Sequence, residues 1–220
     1  MTLASAAIAL LLFPGIGPQP SPPSPAALAA AIQKKYDTIR DFSARFTQVY
    51  EGGTLRRRVV DRGTLQVKKP GRIRWGYETP EEKLFVSDGR QFYSYIPADK
   101  KGYVRAVPAG DEAGTALLFL AGRGRLTRDF TVAAADASYG GQEVWAVKLV
   151  PRRAERDYDW LVLVVDRSSF RIRQLVAGDP QGGRSTFTLT DFKENPGLSD
   201  KIFAFQFPRG VDVERIKSFD

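Results

Sequence analysis

"GTLQVKKPGRIRWGYETP", residues 63–80, decides the fold. Pro70-Gly71 is a turn pair, because proline presets one backbone angle and glycine accepts the reversed one. On either side the residues alternate. Leu65 and Val67 precede the turn on one face, and Ile73, Trp75 and Tyr77 follow it on the same face. Arg72 and Arg74 take the other. A period of two with one apolar face is the pattern of half-buried antiparallel strands. The apolar face is unusually aromatic, which raises the question of what it touches.

The same period extends outward in both directions. Upstream, Phe42, Ala44, Phe46 and Tyr50 alternate with Ser43, Arg45 and Thr47. Gly52-Gly53 reads as a turn, and Leu55 and Val59 join the face of Leu65 and Val67. Downstream, "KLFVSDGRQFYSYI" is a hairpin around Asp88-Gly89, a strong turn signal. Phe85, Phe92, Tyr93 and Tyr95 put aromatics on both its faces. "GYVRAVP" predicts a further strand. Later, Trp145, Val147 and Leu149 alternate, and "DYDWLVLVVD" is apolar on both faces, as a central strand would be. Phe170, Ile172 and Gln174 oppose Arg171 and Arg173. Phe187 and Leu189 oppose Thr186, Thr188 and Thr190, and "NPGLSDKIFAFQFPRG" predicts a turn and a strand with Phe203, Phe205 and Phe207 on one face.

These strands, roughly ten or eleven at this spacing, predict a mainly β protein. Meander connections make it a single antiparallel sheet, strongly curved into an open half barrel with one apolar face. Two helical segments can cover that face. The first starts at Ser24-Pro25, a cap followed by proline, and carries Leu28, Ile32, Tyr36 and Ile39 at helical spacing. The second is "TALLFLA", residues 115–121, apolar all round and therefore covered on several sides. Leu117, Leu118, Phe119 and Leu120 belong to it. Residues 25–220 form one domain in this reading. Residues 1–24, an apolar run followed by a proline-rich stretch, read as an export signal and spacer.

Composition narrows the chemistry. The 220 residues include no cysteine and no histidine. That removes thiolate catalysis, disulfides, the commonest general base and the usual zinc ligands. No phosphate loop, metal-ligand spacing or serine triad is visible, so neither a metal nor a cofactor is expected. Asp157 and Asp159 in "RDYDW" could mimic the paired carboxylates of a hydrolase, but like charges before a strand are ordinarily a solvated edge, and Glu81-Glu82 after Pro80 reads as a loop. The formal net charge is +8, but the basic residues are scattered, and alternation separates the Arg face from the Trp face in "RIRW". A nucleic-acid platform would need them together, so no nucleic-acid partner is expected.

Four stretches in order, "DFSARFTQ", "GTLQVKKPGRIRWGYETP", "LFVSDGRQFYSY" and "FAFQFPRGVDV", resemble the LolA family of periplasmic lipoprotein carriers over roughly residues 26–215. The resemblance implies an eleven-stranded unclosed barrel capped by helices, a monomer without enzymatic activity. It implies acylated lipoproteins as cargo, taken from an inner-membrane ATP-driven (ABC) release complex and passed to an outer-membrane, LolB-like acceptor. Phe46, Leu65, Val67, Ile73, Trp75, Tyr77, Leu84, Val86, Trp145, Val147, Leu149, Phe187 and Leu189 would then line the acyl-chain cavity. Leu28, Ile32 and residues 117–120 would form the lid. Such proteins commonly carry Arg-Pro at the turn, with the arginine bonded to the lid; here Lys69-Pro70 stands there. The alternative on the same fold is a domain that senses lipids or lipoproteins and regulates.

Overall fold

The computed structural model describes residues 23–52, 57–107 and 124–216. Strands β1 (Asp41–Glu51), β2 (Arg58–Lys68), β3 (Arg72–Thr79), β4 (Lys83–Asp88), β5 (Gln91–Ile96) and β6 (Lys101–Ala106) run as a meander. After them come β7 (Phe130–Ala134), β8 (Val144–Pro151), β9 (Trp160–Asp166), β10 (Ile172–Gly178), β11 (Arg184–Glu194) and β12 (Asp212–Ile216). All twelve join one sheet, in the order β12-β6-β5-β4-β3-β2-β1-β11-β10-β9-β8-β7. The long β1 pairs with β11 on one side and β2 on the other, which splices the two meanders together. The order leaves β12 and β7 as edges, so the sheet is open.

The sheet has one strand more than the eleven expected, and other details differ from the sequence reading. The pairing of β12 with β6 is parallel, at the sheet's edge; the other pairings among the described residues are antiparallel. The stretch with Phe203, Phe205 and Phe207, expected as a strand, forms none. A short 3-10 turn (Asp200–Phe203) and the segment after it cross the outer face instead. Ring contacts of Phe205 and Phe207 with Tyr93 and Tyr95 hold this strap, at centroid distances of 5.7–6.1 Å. Gly102 makes room for it, since a Cβ there would stand 2.2 Å from the Phe207 ring. An ion pair from Lys68 to Asp200 (2.6 Å) fixes its start.

The inner face carries the core. Helix α1 (Pro25–Asp37) begins as the sequence suggests, with Ser24 Oγ accepting the Ala27 amide. Its apolar stripe of Leu28, Ala29, Ile32 and Tyr36 is buried against β7, β8 and the one-turn helix α2 (Leu126–Asp129). The Leu126 amide donates to Gln33 Oε1 at 2.9 Å. Around α1 gather Phe42, Phe46, Leu65, Val67, Ile73, Val147, Leu149, Leu163, Val165 and Ile172 in one cluster. Strand β9 is apolar on both faces because Val162 and Val164 meet a second, outer cluster with Val176 and Trp160. That explains its composition without a central position: it is the third strand from an edge.

Candidate functional site

Register assigns side chains to faces. Leu65 lies opposite both Ala44 and Trp75, and Trp75 lies opposite Phe85. Ile73 lies opposite Val67 and Ser87. These residues therefore share the inner face. Thr64, Gly76, Leu84 and Tyr95, linked by the same pairings, share the outer one. The inner face between β11 and β5 is a continuous aromatic surface. Phe187 contacts Phe46 and Trp75 at 6.4 and 5.3 Å. Phe46 meets Tyr77 at 5.0 Å, Trp75 stacks on Tyr77 at 5.5 Å, and Tyr77 meets Phe85 at 5.9 Å. Phe85 stacks on Phe92 at 6.3 Å, and the Arg105 guanidinium closes the row 4.7 Å above the Phe92 ring. Burial lowers the pKa of Arg105, and the charge of Asp157, from the β8–β9 connection, opposes that shift.

Trp75, Tyr77, Trp145, Phe187 and Leu189 are only partly buried and lie against the core cluster, while Phe46, Leu65, Val67, Ile73, Val147 and Leu149 are fully within it. Trp75 Nε1 is buried without a hydrogen-bond partner among the described residues. A buried donor in that state favours any group that brings it an acceptor. The surface turns polar toward the far end of β1. There the Tyr77 hydroxyl donates to Gln48 Oε1 at 2.8 Å, and Gln48 Nε2 donates to Ser185 Oγ at 3.2 Å. Burial, and secondarily the charge of Asp61, raises the Tyr77 pKa, so its phenol stays protonated.

At the opposite end, Lys69 leaves the Pro70 turn and reaches helix α1. Its Nζ donates to the carbonyl of Tyr36, in the last turn of the helix. The ammonium also stands 5.9 Å from the centroid of the Tyr36 ring. Helix C-termini leave carbonyls without intrahelical partners, and their partial negative charge attracts cations. Burial lowers the Lys69 pKa, and Asp37 works against that. Other ties are ionic: Lys35 to Glu194 at 2.6 Å and Arg125 to Asp37 at 3.8 Å.

Two of the expected wall residues lie elsewhere. Leu84 and Val86 point to the outer face, opposite Gly76 and Arg74. Val86 is buried there, on the side that carries the C-terminal strap. Strand β4 is apolar at both parities, so alternation alone does not choose its inner face; the pairing of Trp75 with Phe85 does. Phe85 and Phe92 are the inner residues that alternation does not assign to the wall. Leu28 and Ile32 sit on α1 over the inner face. Residues 117–120 lie outside the described residues.

The family model for the outer membrane lipoprotein carrier protein LolA matches residues 37–206. A protein of Legionella pneumophila strain Corby, named outer-membrane lipoprotein carrier protein, is 31% identical over 188 residues, covering 84% of this chain and 88% of its own. A protein of the same name from Nitrosomonas europaea is 26% identical over 195 residues, covering 88% and 91%. Among solved structures, an uncharacterized conserved protein of Thermus thermophilus superposes with a TM-score of 0.53 at 12% identity, covering 87% of this chain and 98% of that one. That last likeness concerns the fold alone.

Proposed function

The chain belongs to the LolA family of outer membrane lipoprotein carrier proteins, and from that premise we propose that it is a periplasmic shuttle that holds the acyl chains of lipoproteins on its inner face. The observation that carries this reading is the row of aromatic side chains from Phe187 to Phe92, broad and only partly buried. Each methylene taken out of water gains about 0.8 kcal/mol. An acyl chain of about fifteen carbons therefore needs shelter worth on the order of 12 kcal/mol to cross an aqueous space. Flat rings at varied tilts offer area without a slot shaped for one chain. Loose complementarity of that kind suits a carrier that must also let go.

Helix α1 is the cover in this reading, and Lys69 is its latch. The helix lies over the inner face, and the Lys69–Tyr36 bond is a polar tie between a strand turn and the helix end. Lysine supplies a point charge where arginine would supply a planar fork, so this latch is held by fewer bonds. Cargo would arrive from an inner-membrane ATP-driven release complex and leave for an outer-membrane acceptor. The carrier itself needs no reaction, metal or cofactor to do this. Purification from the periplasm, followed by mass spectrometry of whatever co-purifies, tests the reading. Acylated lipoproteins are expected in the bound fraction; a protein recovered only from the cytosol, free of acylated species, contradicts it.

A further inference from the structure

We infer that the indole N–H of Trp75 is a recognition donor for the carbonyl of an acyl chain. The inner face thereby takes chains joined through an ester or amide in preference to alkyl chains without a carbonyl. This rests on the carrier reading above and goes further by naming the atom that recognises where the chain is attached.

Trp75 Nε1 is a buried polar atom with no hydrogen-bond partner among the described residues. Its neighbours explain why. On β3, Trp75 lies opposite Leu65 and Phe85. Phe46 and Phe187 meet it edge to face at 5.6 and 5.3 Å, and Tyr77 stacks on it at 5.5 Å. The one hydroxyl in this row, on Tyr77, donates away from it to Gln48 Oε1. The indole as a whole is only partly buried, so the N–H edge is its covered part. The other tryptophans are placed differently. Trp145 lies under the Arg167 guanidinium at 3.8 Å, and Trp160 belongs to the outer cluster, with the Lys148 ammonium at 5.4 Å.

A buried indole N–H ordinarily finds an acceptor, and one left without costs stability. Phenylalanine would give the row ring area without that cost, so apolar shelter alone does not call for tryptophan here. In this reading the acceptor comes with the ligand. A chain lying along the row meets the exposed part of the indole, and the side chains that cover Nε1 part to admit its carbonyl end. The ester of an O-acyl chain and the amide of an N-acyl chain both supply the oxygen; an alkane supplies none. Discrimination by a buried polar group that only the right ligand can pair is stronger than discrimination by apolar contact.

The test uses the full chain and three probes of equal chain length: a fatty-acid methyl ester, the matching N-methyl amide and the matching alkane. The first readout is the Nε1–H magnetic resonance of Trp75 in isotope-labelled protein, assigned by its loss in Trp75→Phe. Ester and amide should move it downfield and the alkane should not, while the Trp160 resonance stays in place with all three. The second readout is affinity, from displacement of a fluorescent apolar dye. Trp75→Phe should weaken ester and amide binding about fivefold more than alkane binding. Benzothienylalanine placed at Trp75, which puts sulfur where the N–H stands and keeps the shape, serves if the phenylalanine variant does not fold. A larger effect with the amide assigns the donor to an N-acyl chain, and a larger effect with the ester assigns it to an O-acyl chain; either supports the inference. A Trp75 resonance unmoved by bound ester and amide, or equal weakening for all three probes, would overturn it while leaving the carrier reading intact. A parent that binds none of the probes would sink both.

Discussion

Lys69 makes two contacts with α1, to the Tyr36 carbonyl and over its ring. A hydrogen bond from a charged group contributes roughly 1.5–3 kcal/mol, and partial exposure puts this one near the lower end. Lys69→Leu should therefore lower the melting temperature slightly, keep acyl binding, and accumulate loaded carrier in the periplasm. Lys69→Arg should behave as the parent; unchanged release by Lys69→Leu in a pulse-chase would remove the latch. Asp166 ties part of the stability of the fold to pH. Hydrogen bonds from Ser168, first, and from Arg173 hold its pKa well below the ordinary carboxylate range. A depressed folded pKa gives stability that is present above the unfolded value, about pH 4, and lost as pH falls through the folded one. Asp166→Asn should cost about 1–3 kcal/mol at pH 7 in denaturant titrations, and the gap to the parent should close as the pH drops below about 4.

Elements differ in how far their residues disclose them. The β2–β3 hairpin is legible because a Pro-Gly turn and strict alternation agree: Arg72 and Arg74 point one way, Ile73 and Trp75 the other. Helix α1 is legible from its cap and spacing. Strand β4 is not, because Leu84 and Val86 are as apolar as Phe85, and only pairing with Trp75 tells the faces apart. The strap defeats pattern reading differently. Phe203, Phe205 and Phe207 alternate as in a strand, yet the rings of Phe205 and Phe207 meet Tyr93 and Tyr95 across the sheet's back. The strap makes its own prediction. A Cβ at position 102 collides with Phe207, so Gly102→Ala should cost about 1–3 kcal/mol by overpacking. Acyl-probe affinity should stay unchanged, because the collision lies on the outer face; a parallel loss of affinity would show that strap and inner face are coupled.

The whole molecule is one sheet with two unlike sides. Both are rich in aromatics, but the outer rings are spent on the strap, while the inner ones form an extended row on the face that also carries helix α1. Composition cannot separate the two sides, and neither can a basic net charge of +8; curvature and register do. The claim that the inner side holds the acyl chain is therefore a claim about position, and photo-crosslinking reads position. Benzoylphenylalanine placed at Phe187, on the inner face, should crosslink to the acylated part of a lipoprotein in the periplasm. The same residue at Tyr95, on the outer face, should not. Crosslinks to lipoprotein from Tyr95 and none from Phe187 would contradict the account.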